Sequence, residues 1–90
     1  MTSKERAGFR SLANTIQPIF QIGKNGISEN TIKQVDDALE ARELIKITVL
    51  ETAGEATRDL AHEIAANVNA EVIQVIGSKF VLYRKSKKNK

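Results

Sequence analysis

The spacing of apolar residues switches repeatedly along this chain between the helical and the extended period, and that alternation limits the fold more than any other feature. Phe9, Leu12, Ala13 and Ile16 recur at i, i+3, i+4 and i+7, one stripe of a helix that Ser3 is placed to cap. Pro18 disfavours helical geometry at Gln17, so this helix stops before it and Pro18-Ile19-Phe20-Gln21-Ile22 reads as a short strand. Ile32, Val35, Ala38 and Leu39 return to helical spacing, with Ser28 as cap and Ile27 and Ile32 placed for a hydrophobic staple, and this second helix runs to about Ala41. Ile45, Ile47 and Val49 then alternate with wetter positions in a β-branched strand from Leu44 to Leu50. Leu60, Ala61, Ile64, Ala65 and Val68 define the buried side of a third helix spanning roughly Glu55 to Val68, which Asn69 is suited to end.

Two strands follow, Glu71–Ile76 and Phe80–Arg84, and the Gly77-Ser78 turn between them signals a hairpin. The order α-β-α-β-α-β-β predicts an α/β fold in one compact domain. Strand–helix–strand crossovers imply parallel neighbours, and the terminal hairpin adds an antiparallel pair to a mixed four-stranded sheet. The 90 residues leave no room for a second core. Residues 1–84 are expected to form the domain and residues 85–90 a basic, disordered tail.

Charge is segregated. The chain carries +3 overall, but residues 1–26 hold +3, residues 27–78 hold −6 and residues 79–90 hold +6. Should the fold bring the two basic ends together, one surface would steer toward polyanions while the other stayed negative. There is no cysteine, so neither a disulfide framework nor a thiolate metal site can form. His62 is the single histidine and sits mid-helix beside Asp59 and Glu63, which excludes a zinc site or catalytic triad built on several histidines. Asp36, Asp37 and Glu40 read as a solvated helix surface rather than a metal site. The N-terminus lacks the apolar core of about 7–15 residues that a signal peptide needs, so the expectation is a cytoplasmic protein without cofactor or metal.

The stretch Gln21-Ile22-Gly23-Lys24-Asn25-Gly26-Ile27-Ser28 carries the chemistry. It joins a strand to a helix start, where free amides and the helix dipole favour anions. Glycine lets a backbone approach closely, and Lys24 adds a mobile cation. A nucleotide P-loop would need GxxxxGK[ST], which is absent. A plain turn and a clamp on a nucleic-acid backbone both remain open on these residues, and Glu29 in the first turn would compete with a phosphate. Aromatics are few: Phe9, Phe20 and Phe80 point into cores, and Tyr83 is either solvent-facing or half-buried.

Leu12-Ala13 before Pro18, IGKNGIS, the segment Ala38-Leu39-Glu40-Ala41-Arg42-Glu43-Leu44-Ile45-Lys46, Val75-Ile76-Gly77 and Val81-Leu82-Tyr83-Arg84 together resemble the CRM domain, the chloroplast RNA splicing and ribosome maturation family whose stand-alone bacterial form is YhbY-like. The resemblance covers about residues 4–85. It implies an RNA-binding domain similar to the C-terminal domain of translation initiation factor 3. Family members associate with precursors of the large ribosomal subunit, and plant relatives act in group II intron splicing. The family's GxxG loop maps onto Gly23, Lys24, Asn25 and Gly26, and the end of its pattern onto Tyr83 and Arg84. Ser78 stands where many relatives carry a basic residue, with Lys79 next to it, and Ala41 or Arg42 stands where many carry histidine.

The expected function is non-enzymatic binding of ribosomal RNA in large-subunit precursors by a monomer. Gly23, Lys24, Asn25, Gly26 and Ser28 would form the centre of the site, and Arg6, Arg10, Lys79, Tyr83 and Arg84 would widen it. The alternative is an adaptor whose acidic 27–78 surface binds a basic ribosomal or assembly protein.

Overall fold

Period-two segments with one apolar side become strands, and here four of them pair in the order β1-β2-β4-β3. The computed structural model describes residues 2–23, 27–50 and 57–86. Its elements are α1 (Ser3–Ala13), β1 (Phe20–Ile22), α2 (Glu29–Arg42), β2 (Leu44–Val49), α3 (Thr57–Val68), β3 (Glu71–Ile76) and β4 (Lys79–Tyr83). The predicted fold class and element order hold throughout.

Element ends differ in detail. Thr2, not Ser3, caps α1: its side chain accepts from the Glu5 amide at 3.1 Å, and the Glu5 carboxylate accepts from the Thr2 amide at 3.0 Å. This reciprocal box satisfies two helix-end groups at once. The helix ends at Ala13, before the i+7 member of the expected stripe, and Leu12 of that stripe is 55% exposed. β1 begins at Phe20 rather than Pro18, although the Ile19 amide already donates to the Lys46 carbonyl at 3.0 Å. Asn69 leaves α3 with φ 56° as expected, and Gly77 takes φ 56° in the hairpin turn, a backbone region glycine enters without a Cβ penalty.

The pairing corrects one expectation. β1 and β2 are parallel neighbours, registered Phe20 with Ile47 and Ile22 with Val49. β2 and β3 are not neighbours, because β4 lies between them and is antiparallel to both. Burial explains the choice. Phe80, Val81 and Leu82 of β4 are all buried, so this strand needs cover on both faces and two strand neighbours. β3 carries Glu71 and Gln74, is interrupted by a bulge between Val72 and Gln74, and suits an edge.

The two sheet faces are unequal. Ile22, Ile45, Ile47, Val49, Phe80 and Leu82 face α2 and α3, where they join Val35, Leu39, Leu60, Ile64 and Val68 in the main core. All five residues predicted for the inner side of α3 are buried. On the opposite face α1 forms a smaller cluster of Ala13, Ile73 and Val81, with Phe9, Leu44 and Tyr83 packed against it. Phe9 stacks on Tyr83 with centroids 4.1 Å apart.

Phe80, 0% exposed, is the largest fully buried side chain. Phe80→Ala is expected to lower unfolding free energy by about 3–5 kcal/mol in urea denaturation, through lost transfer energy and the cavity left behind. The cap makes a second prediction. The hydrogen bond from the Thr2 amide, followed by that from the Thr2 side chain, holds the Glu5 carboxyl below its ordinary range. A depressed folded-state pKa means the stabilisation is present above the unfolded carboxylate value and is lost as pH falls through the folded one. Carbon-detected NMR titration should show Glu5 titrating low, and Thr2→Ala, which keeps the amide donor and removes only the side chain, should return it part of the way toward the ordinary glutamate value.

Candidate nucleic-acid interface

A helix start leaves amides unpaired, and α2 begins at the mouth of the Gly23–Ser28 loop. Ser28 is extended (φ −121°, ψ 170°) and its Oγ accepts from the Thr31 amide at 3.2 Å. Its carbonyl accepts from the Ile32 amide at 3.0 Å. Ser28 therefore acts as the expected cap, and its hydroxyl is already committed to its own helix. Glu29 is exposed in the first turn. Lys24, Asn25 and Gly26 lie outside the described residues. A Cβ added to Gly23 would meet Leu50 Cδ1 at 3.9 Å, an ordinary contact, so this packing does not itself demand glycine.

Cross-strand register shows what stands beside the loop. The Leu50 amide donates to the Ile22 carbonyl at 2.9 Å, and the Val49 amide donates to the Ser78 carbonyl at 2.6 Å. The end of β1, the end of β2 and the β3–β4 turn thus share one end of the sheet. Gln21 pairs with Thr48, Thr48 with Lys79 and Lys79 with Ile76. Their neighbours Ile22, Val49, Phe80 and Val75 pack in or against the main core, so this row points to the α1 face. Lys79 lies two strands from Gln21, about 10 Å away.

The helix α1 covers only the other half of that face, over Leu44, Ile73, Val81 and Tyr83. Gln21, Lys46, Thr48, Gln74, Ile76 and Lys79 are left at least partly open to solvent. Lys46 was not among the residues expected at the site. Its signal was present, since it occupies the wetter side of the alternating 44–50 strand, but the sequence does not tell which part of that side a helix will cover.

The remaining expected residues lie elsewhere. Tyr83 pairs with Leu44 and Glu71, at the opposite end of β2 from Val49, about 16 Å along the strand. Its ring is half-buried, with one face stacked on Phe9, which decides between the two alternatives for it. Arg6 sits at the same far end, donating to the Val72 carbonyl and lying 3.7 Å from the Glu71 carboxylate. The two basic segments are therefore split: Arg6 and Arg84 lie toward this far end, whereas Lys79 stands at the loop end. Arg10 is exposed on α1 beside the outer edge of β3.

Arg84 requires a correction. It was expected to meet phosphate, yet it is only 8% exposed. Its Nη1 donates to Asp36 Oδ1 at 2.5 Å and to the Val68 carbonyl at 2.8 Å. Its Nη2 donates to the Asp36 carbonyl at 3.1 Å and to Glu40 Oε1 at 3.2 Å. The guanidinium fork bolts the end of β4 to α2 and to the last turn of α3. Asp36 and Glu40, expected as a solvated surface, are its counter-ions. The chain stays attached beyond the expected boundary at residue 84: the Ser86 amide donates to Glu43 Oε2 at 2.7 Å and Ser86 Oγ donates to Glu40 Oε2 at 3.1 Å. Glu43 takes φ 66° to make this turn, and its carbonyl accepts from the Arg84 amide at 2.9 Å. Residues 87–90 of the expected tail lie outside the described residues.

Among the described residues no group of three or more His, Asp or Glu side chains is arranged to hold a metal ion, and no helix is long and apolar enough to cross a membrane.

Residues 1–84 match the CRS1 / YhbY (CRM) domain family. The chain is 44% identical over its full length to the probable RNA-binding protein YqeI of Bacillus subtilis, covering 94% of that protein. It is 30% identical, also over its full length, to an RNA-binding protein of Haemophilus influenzae, covering 91% of it. The solution structure of protein SAV1595 from Staphylococcus aureus superposes with a TM-score of 0.81 at 50% identity, covering 100% of this chain and 94% of that one.

Because Arg84 holds three elements together, Arg84→Ala should cost about 2–4 kcal/mol, less than a fully enclosed pair because Asp36 is about half exposed. Arg84→Lys should recover little of it, since one ammonium cannot reproduce the fork. Chemical denaturation of both variants beside Lys79→Ala, which should unfold like the parent, checks this assignment.

Proposed function

Because this chain belongs to the CRS1 / YhbY (CRM) domain family, we propose that it is a non-enzymatic, monomeric RNA-binding protein of the cytoplasm that engages ribosomal RNA in large-subunit precursors. The observation that carries the placement of the site is the row Gln21–Thr48–Lys79 running from the loop across the open half of the sheet. Lys46 stands in the next row and extends the positive strip. The loop approaches one phosphate with main-chain amides and Lys24, and the two sheet lysines meet its neighbours along the strand. Scarce free aromatics make backbone contact, rather than base stacking, the main source of affinity.

The adaptor alternative draws less support. Asp36 and Glu40 are spent on Arg84, Glu43 and Glu40 on Ser86, and Glu71 on Arg6. These ion pairs and hydrogen bonds remove several acids of the 27–78 region from a surface that would recruit a basic protein.

Fluorescence anisotropy across a salt series tests the site. With about five phosphates neutralised, log K should fall against log[salt] with a slope of about −3.5 to −4.5. Lys24→Ala, Lys46→Ala and Lys79→Ala should each flatten it by somewhat less than about one unit. Gly23→Ala should keep its thermal midpoint, given the 3.9 Å clearance, and still bind more weakly. Unchanged slopes in all three lysine variants would remove the site from this end of the sheet. Crosslinking in cells followed by sequencing should recover large-subunit ribosomal RNA, and recovery of unrelated transcripts alone would refute the ribosomal assignment.

A further inference from the structure

A shallow groove along the outer edge of β3 is lined by Arg10, Arg58 and His62 and by strand residues Val72–Val75. Arg10 comes from α1 on one face of the sheet, whereas Arg58 and His62 come from α3 on the other. Arg58 and His62 are four residues apart and therefore share one side of their helix. The three side chains straddle the strand edge from both faces. We infer that this edge is a second phosphate-binding subsite, a phosphodiester held between Arg10 and Arg58 with His62 as a further donor. The inference rests on the RNA-binding reading above and extends it to a surface separate from the loop.

Three observations favour it. First, Arg6 and Arg84 are already neutralised, Arg6 by Glu71 and Arg84 by Asp36 and Glu40. Arg10, Arg58 and His62 are exposed and make no ion pair or hydrogen bond among the described residues. Second, the groove itself carries no acid: neither Asp59, three residues before His62, nor Glu63 lines it, and Glu71 is held by Arg6.

Third, the edge is poorly suited to its obvious competitor, an acidic peptide added as a fifth strand. Strand addition needs a regular row of free main-chain groups. Here the bulge between Val72 and Gln74 breaks that row, and the Arg6 guanidinium occupies the Val72 carbonyl. Guanidinium forks, by contrast, match phosphate oxygens and need no strand register. The uncovered half-face bridges the two subsites. From β1 to β3 it spans three strand spacings, about 14 Å, within reach of one continuous nucleic-acid chain.

The full-length protein should be titrated with an RNA of about 40 nucleotides carrying a stem and a single-stranded tail, so that either backbone form is on offer. Arg10→Ala/Arg58→Ala should weaken binding about tenfold or more and flatten the salt slope by about 1.4 or more. Lys33→Ala/Arg42→Ala removes the same two charges from α2 and should have a clearly smaller effect on both readouts. His62→Ala added to the first pair should weaken binding further. Equal losses from the two double variants would mean only a change in net charge and would overturn the subsite, while loss in Lys79→Ala would leave the loop site standing. Tighter binding of a polyglutamate peptide than of the RNA at matched charge, lost only in Arg10→Ala/Arg58→Ala, would assign the edge to a peptide instead. Failure of the parent protein to bind the RNA at all would sink the RNA-binding reading itself.

Discussion

The fold hangs on β4. Phe80, Val81 and Leu82 are three consecutive buried residues, so their side chains alternate into opposite faces of the sheet and both faces must be covered. The strand goes to the centre, α2 and α3 cover Phe80 and Leu82, and α1 covers Val81. The cover on the second side is a single helix of 11 residues, about 16 Å long, and it shields only part of the face. The open half-face beside the loop is thus a consequence of how the core is divided.

The same strand governs electrostatics. Directly beyond Tyr83 the chain turns into the core's rim, where Arg84 meets the carboxylates of α2 and the last turn of α3. A buried guanidinium is tolerated only with its donors met, and four acceptors meet all but Nε. The positive Glu43 φ costs on the order of 1–3 kcal/mol and is offset by the bonds that the turn makes with Arg84 and Ser86. Part of the charge segregation visible in the sequence is therefore internal wiring. Cations on the open half-face and along the outer edge of β3 are among those left unpaired in the described residues.

This sorting matters for function. A basic residue contributes to counterion release only if its charge is not already balanced by a carboxylate. By that criterion Lys46, Lys79, Arg10 and Arg58 differ from Arg6 and Arg84, although composition counts all six alike. The unbalanced cations of the open strip are what the proposed RNA-binding role would draw on.

Local physics made much of this legible from the residues alone. Period-two and period-3.6 patterns located all seven elements, and five of five inner α3 positions, because burial periodicity is a property of each segment by itself. The Ser28 cap and the Asn69 exit were equally local. Strand order was not, since β2 and β3 could be neighbours until the demand of β4 for two covered faces was weighed against the polar residues of β3. Nor was the fate of each charge. Whether Arg84 points to solvent or to Asp36, 48 residues away, depends on which helix packs beside its strand, and only the assembled tertiary structure decides that.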